Sequence, residues 1–293
     1  MLRRAARIGG FDVLRRNFYS PLPQLEELPA DTFERRIPMP GISWQMDRYE
    51  SLLRDLEPFL AEFTLPQRFF WGNGMYGPVD SEILYALVRR YKPKRVVELG
   101  SGFTSLIIAA ACRKNASAGR PVRYVAFDPF PREFIKKGID GMDSLEGIGA
   151  TEVRQEEFEA LGEGDLLFID TTHTVKVGGD VNRVLLEVLP TLARGVLVHV
   201  HDVFLPYEYP RAFFENQCFW QEQYLLQALL AENPNFEVLF PASAVARERP
   251  DLIRAFMPQH ESTSSPGAFW IRRTASAGPT ATDSSLEHPV PHV

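Results

Sequence analysis

At residue 95 the chain enters RVVELGSGFTS, a β-branched run that passes through two glycines straight into an apolar stretch. A strand that turns on glycine into a helix must return to its sheet by a crossover, and that is the parallel α/β arrangement. The segments that follow repeat the choice. Strands are predicted at 95–99, at YVAF (124–127), TEVR (151–154), LLFI (166–169) and VLVHV (196–200). Helices fall between them, around 103–114, 131–139 and 179–190, and Gly195 breaks the chain before the fifth strand. A helix at 220–232 and strands at FEVLF (236–240) and GAFWIRR (267–273) complete a doubly wound, mostly parallel seven-stranded sheet.

Ahead of this core, residues 44–63 carry apolar side chains at helical spacing (Met46, Tyr49, Leu52, Leu53, Leu56, Leu60), and Asp80 reads as the N-cap of a helix over SEILYALVRRY. The expected organisation is a flexible basic arm (1–17), a helical extension (18–79), the α/β domain (80–273) and a disordered tail (274–293) rich in Ser, Thr, Ala and Pro. The arm is arginine-rich but lacks an apolar core of signal-peptide length, and no stretch approaches the ~18 apolar residues of a membrane span, so a cytoplasmic location is expected. A net charge of −6 gives no general attraction to nucleic acid or anionic membrane. Cys112 and Cys218 have neither disulfide-framework nor zinc-site spacing.

In ELGSGFTS, Gly100 and Gly102 allow a tight turn and close approach to a ligand, with a helix N-terminus behind them and Ser101 between. The pattern is G-x-G-x-x-S, without the third glycine of a dinucleotide fingerprint. Glu98, immediately before the turn, would repel a pyrophosphate but could pair with an ammonium group. Asp128, at the end of the second strand, sits where a carboxylate can accept from both ribose hydroxyls.

The fourth strand ends in IDTTHT and the fifth in VHVHD, which brings Asp170, His173, His201 and Asp202 to the carboxyl edge where open α/β folds place their chemistry. Asp170, His201 and Asp202 form a candidate metal-ligand cluster, with His173 left over as a base. The alternative is a polar network of strand-end carboxylates and satisfied imidazoles. His199 is taken as structural.

The combination of strand, Glu-x-Gly-x-Gly, helix, strand and Asp resembles the class I S-adenosylmethionine-dependent methyltransferases. More narrowly, YSPLPQLEEL, WGNGMYGPVDSEILYALVRR, IDTTHTVKVGGDVN, LPTLARGVLVHVHDVFLPYEYP, EQYLLQALL and GAFWIRR resemble a bacterial group of such enzymes of mostly unassigned substrate, over about residues 18–273. The resemblance implies that Glu98, Gly100, Ser101, Gly102 and Asp128 bind S-adenosylmethionine. Metal-dependent O-methyltransferases have one acid after the fourth strand and a pair after the fifth. Asp170 and Asp202 match that layout, and His173 matches a histidine base three residues after the acid. His201 stands where those enzymes carry an acid, and a nitrogen ligand is unusual for Mg²⁺, leaving Mn²⁺, Fe²⁺ or Zn²⁺, or no ion.

The expected reaction is methylation of a hydroxyl on a small sugar-like or phenol-like acceptor, with neutral His173 taking the proton, assisted by Asp170 and by any cation held with Asp202. The aromatic pieces FFWGNGMY (69–76) and FLPYEYP (204–210) could line the acceptor pocket, although aromatic surfaces pack cores more often than they bind substrates. Two alternatives stay open: metal-free N- or O-methylation, and a non-catalytic adenosine-ligand-binding protein. Glu98 and the missing third glycine disfavour a nicotinamide dehydrogenase. Oligomeric state is not read from the sequence.

Overall fold

The computed structural model describes residues 17–257 and 265–275, so the expected arm and tail lie outside the described residues apart from their inner ends. Seven strands form one sheet: β1 (Arg95–Leu99), β2 (Arg123–Phe127), β3 (Ser144–Glu146), β4 (Leu166–Ile169), β5 (Leu197–Val200), β6 (Phe236–Pro241) and β7 (Phe269–Arg273). Their order is β3-β2-β1-β4-β5-β7-β6. All run parallel except β7, which pairs antiparallel with both β5 and β6.

Because side chains alternate across a strand, each strand feeds two cores. Val97, Leu99, Leu167, Ile169, Val198 and Val200 point to one face, beneath α6 (Asp180–Asn182), the π-helical segment Arg183–Val188 that continues it, and, after the short α7 (Arg211–Glu215), α8 (Glu222–Leu230). Val96, Tyr124, Leu166, Phe168 and Trp270 point to the other, beneath α1 (Met46–Glu62), α2 (Pro78–Tyr91) and α3 (Phe103–Ser117). The register places Glu98, Phe168, His199 and Trp270 side by side in one row of this second face. Asp170 and His201 have the same parity and stand one pleat beyond that row, at the carboxyl edge. In α1 the stripe Tyr49, Leu53, Leu56, Leu60 is buried, so the helical extension belongs to the domain's own core.

The structure corrects several boundaries. Residues 151–154 are a turn entering α5 (Gln155–Glu159), after α4 (Glu133–Lys136) has replaced the longer helix expected at 131–139. The third strand is instead Ser144–Glu146. It is a three-residue edge with little apolar content, held by Asp128 N donating to Glu146 O (3.0 Å) and Tyr124 N donating to Asp143 Oδ2 (2.7 Å), so periodicity had nothing to register. Val153 is buried as the strand reading required, but from a turn. Asp80 is no N-cap. Gly77 precedes the helix, Pro78 opens it, and Asp80 turns inward from the first turn to accept from Gly267 N (2.9 Å) and Ala268 N (3.1 Å), fixing the entry to β7. Gly195 does break the chain before β5, with φ +86°. Among the described residues no helix is long and apolar enough to cross a membrane.

Candidate active site

The turn between β1 and α3 is built on Gly100, whose φ is +86°. A Cβ there would lie 1.8 Å from the Asp170 carbonyl oxygen, so only glycine lets the turn pass the end of β4. Gly100 N donates to Phe127 O (2.8 Å) and Asp170 N to Leu99 O (2.9 Å), which carries the strand pairing of β2, β1 and β4 out to the edge. A Cβ on Gly102 would meet no protein atom within 4 Å, and this leaves the second glycine facing open space in front of the α3 N-terminus.

Glu98 lies beneath this turn, fully buried. One carboxylate oxygen accepts from Thr104 Oγ1 (2.8 Å), the other from Ser105 Oγ (2.8 Å) and from the Tyr124 hydroxyl. Burial pushes its carboxyl up to about 7, against the pull of those three hydroxyls. Ser105 Oγ also accepts from Gly102 N (3.0 Å), so Glu98 reaches the turn through the first residues of α3. Asp128 meets Ser101 directly: its Oδ2 accepts from Ser101 N (2.9 Å) and Ser101 Oγ (2.7 Å), and its Oδ1 from Phe130 N (2.7 Å). The five sequence-predicted cofactor residues thus form one connected cradle, with Glu98 under it and Ser101 and Asp128 at its rim.

Above β4 and β5 the charges pair with one another. His173 Nε2 is 3.2 Å from Asp170 Oδ1 and 3.9 Å from Asp202 Oδ2, while its Nδ1 is 2.8 Å from Glu222 Oε2. Burial alone would lower the basicity of His173, but Asp170 and Glu222 outweigh it and hold the imidazole well above its ordinary value. Burial raises Asp170, yet His201 and His173 overcome it and bring its carboxyl down to about 2. Burial keeps Glu222 above the usual carboxylate range despite the pull of His173. With an acid at each ring nitrogen the imidazolium is favoured over the neutral ring that the sequence reading expected of a base. His173 (φ +55°) and Asp202 (φ +52°) both adopt the left-handed region, where non-glycine residues are uncommon and cluster at functional sites. The His173 carbonyl accepts from Gln221 N (3.0 Å) and Glu222 N (3.2 Å), and the Trp220 ring packs 4.3 Å from the imidazole.

His201 joins the same edge, with Nε2 3.7 Å from Asp202 Oδ1, its ring 4.9 Å from Tyr76, and Nδ1 buried without a partner. Burial lowers its basicity, but Asp202, Asp170 and Asp80 more than offset this. His199 is stacked 4.1 Å from Phe168 and held neutral by burial, as a core residue. Asp170, His201 and Asp202 are neighbours, yet among the described residues no group of three or more His, Cys, Asp or Glu side chains is arranged to hold a metal ion. Asp170 and Asp202 both approach His173 Nε2, the first at 3.2 Å and the second at 3.9 Å.

The sequence reading missed Glu222. An acid at a helix start reads as a favourable N-terminal charge, and only its burial to 1% exposure reveals another purpose. Asp180, which accepts from Thr172 N (2.9 Å) and Thr172 Oγ1 (2.7 Å) and so shapes the His173 loop, was read only as part of a helix start. FLPYEYP turns out to be core, with Phe204, Leu205 and Tyr209 buried, whereas FFWGNGMY divides into buried Phe69 and Tyr76 and exposed Phe70, Trp71 and Met75. A cavity of about 740 Å³ beside His173 is lined by Thr174, Val175, Phe219, Trp220 and Tyr224, together with Pro21 and Leu22.

Residues 97–203 match the family described as Methyltransferase domain. The chain is 25% identical over 136 residues to an uncharacterized protein of Archaeoglobus fulgidus; the match covers 42% of this chain and 61% of that relative, less than two thirds of its length. It is similar to an O-methyltransferase from Bacillus cereus in complex with SAH (15% identity, 76% of this chain and 91% of that one, TM-score 0.39). It is also similar to cmcI in an Mg-SAM form (14%, 92% and 100%, TM-score 0.37) and to a methyltransferase-like protein from Thermobifida fusca (13%, 80% and 96%, TM-score 0.38). The stretch that matches the methyltransferase-domain family, residues 97–203, takes in the glycine turn, Asp128, and the ends of β4 and β5 with Asp170, His173, His201 and Asp202.

Proposed function

We propose that the protein transfers a methyl group from S-adenosylmethionine to a hydroxyl of a small-molecule acceptor, with His173 as the proton acceptor. The observation that carries this reading is the Asp170–His173–Glu222 array beside the glycine turn, where the Asp170 backbone abuts Gly100. Gly100, Ser101 and Gly102 give the cofactor close backbone approach, Asp128 is the ribose acid, and Glu98 acts by holding the turn. Once the ring has released its Nε2 proton to solvent, an acceptor oxygen attacks the sulfonium methyl carbon, the carbon–sulfur bond breaks with its electrons going to sulfur, and the hydroxyl proton passes to His173 Nε2. Glu222 keeps Nδ1 protonated, so in the deprotonated ring the lone pair lies on Nε2. The cavity lined by Trp220 and Tyr224 supports an acceptor with an apolar or ring-shaped body.

In this reading Asp170 and Asp202, 3.2 and 3.9 Å from His173 Nε2, act as carboxylates that charge and orient the imidazole, and the proton transfer is written without a metal. His173→Ala should leave S-adenosylhomocysteine binding intact and lower turnover roughly 10²- to 10⁴-fold, the usual loss for a general base. Full turnover in that variant would remove His173 from the reaction.

A further inference from the structure

The loop before α2 presents one polar group with no evident structural use. Tyr76 is 3% exposed, its hydroxyl is buried without a hydrogen-bond partner, and its ring lies 4.9 Å from His201. The charges that act on that hydroxyl are Asp80 in the first turn of α2 and Asp170, Glu98 and Asp202 at the ends of β4, β1 and β5. The placement is built. Asn73 Nδ2 donates to Phe70 O (2.9 Å) and Tyr76 O (3.2 Å), and its Oδ1 accepts from Met75 N (2.9 Å) and Tyr76 N (2.9 Å). A loop so pinned, delivering an unpaired hydroxyl into a polar site, incurs a desolvation cost that a ligand can repay.

The amino-acid end of S-adenosylmethionine is a zwitterion. Its ammonium suits the acids gathered here, but its carboxylate would face like charges unless a donor stands among them. We propose that Tyr76 is a cofactor-binding residue whose hydroxyl donates to the methionine carboxylate, so that the loop before α2 selects ligands carrying the amino-acid end. This inference rests on the cofactor assignment above. His201, whose ring packs against that of Tyr76, also has a buried Nδ1 without a partner.

Two ligands separate the possibilities without any acceptor: S-adenosylhomocysteine, which has the amino-acid end, and 5′-methylthioadenosine, which lacks it. Calorimetry on the full chain should show Tyr76→Phe weakening S-adenosylhomocysteine roughly tenfold to a hundredfold, the range for a lost hydrogen bond to a charged group. Affinity for 5′-methylthioadenosine and the melting temperature should stay as in the wild type. Equal losses for both ligands, or no loss for either, would overturn the proposal while leaving the cofactor assignment standing. Wild-type protein that binds neither ligand would overturn both.

Discussion

The two halves of the carboxyl edge solve opposite problems. Around the glycine turn, each carboxylate is answered by neutral donors: Glu98 by three hydroxyls, Asp128 by the amide and hydroxyl of Ser101 and the amide of Phe130. The strained backbone there falls on Gly100, where it costs little. Above β4 and β5, the carboxylates are answered by imidazoles, positive φ falls on His173 and Asp202, and His201 Nδ1 and Glu222 Oε1 are buried without partners. A satisfied, relaxed surface is suited to binding; a charged, strained and partly unsatisfied one is where a proton can be moved.

The halves touch at Gly100, and substitution there should break both. Gly100→Val places its Cβ 1.8 Å from the Asp170 carbonyl at a φ of +86°. It should destabilise the fold by roughly 4 kcal/mol or more, as strain at a special φ/ψ combined with a backbone clash does, and abolish cofactor binding. A variant with wild-type melting temperature and undiminished affinity by calorimetry would show that the two halves are not joined as described. His173→Ala divides them cleanly, with the 10²- to 10⁴-fold loss of turnover appearing on one side only.

Glu222→Gln sharpens the second half. The amide can still meet Nδ1 but no longer supports the positive charge, so stability should fall by roughly 1–3 kcal/mol as a charged hydrogen bond is lost. The pH dependence follows from the direction of the His173 shift. Its basicity is raised in the folded protein, so its electrostatic contribution to stability is present below the unfolded value and lost as pH rises through the folded one. Turnover does the reverse. It needs the deprotonated ring, so the wild-type rate should climb with pH through the raised His173 value, and Glu222→Gln should move that limb to lower pH. An unmoved limb would mean that another group sets the rate. The smallest expected effect is that of exhaustive chelation, which should leave turnover unchanged; loss of activity restored by Mn²⁺ or Mg²⁺ would return Asp170 and Asp202 to a metal.

The two halves also differ in what the sequence disclosed. Glu98, the glycines and Asp128 lie within a single strand–turn–helix–strand run, so local spacing was enough to group them. Asp170, His173, His201 and Asp202 could be placed at one edge because strand ends gather there. Their pairing depends on Glu222, contributed by α8 forty-nine positions after His173, and no local pattern encodes that contact. The third strand escaped for the opposite reason: Ser144–Glu146 is too short and too polar for periodicity, while TEVR carried a buried valine in a turn. Asp80 was misread because a helix-start acid is ordinarily a cap, and here it holds backbone amides almost two hundred residues away.

The central claim is that Asp170 and Glu222 hold His173 as an imidazolium ready to cycle a proton at Nε2. Nitrogen-detected NMR titration of His173 in the S-adenosylhomocysteine-saturated protein tests it without an acceptor. Both ring nitrogens should be protonated at neutral pH, with titration above the ordinary histidine range and a shift to lower pH in Glu222→Gln. A ring already neutral at pH 7, or one indifferent to Glu222, would contradict the account.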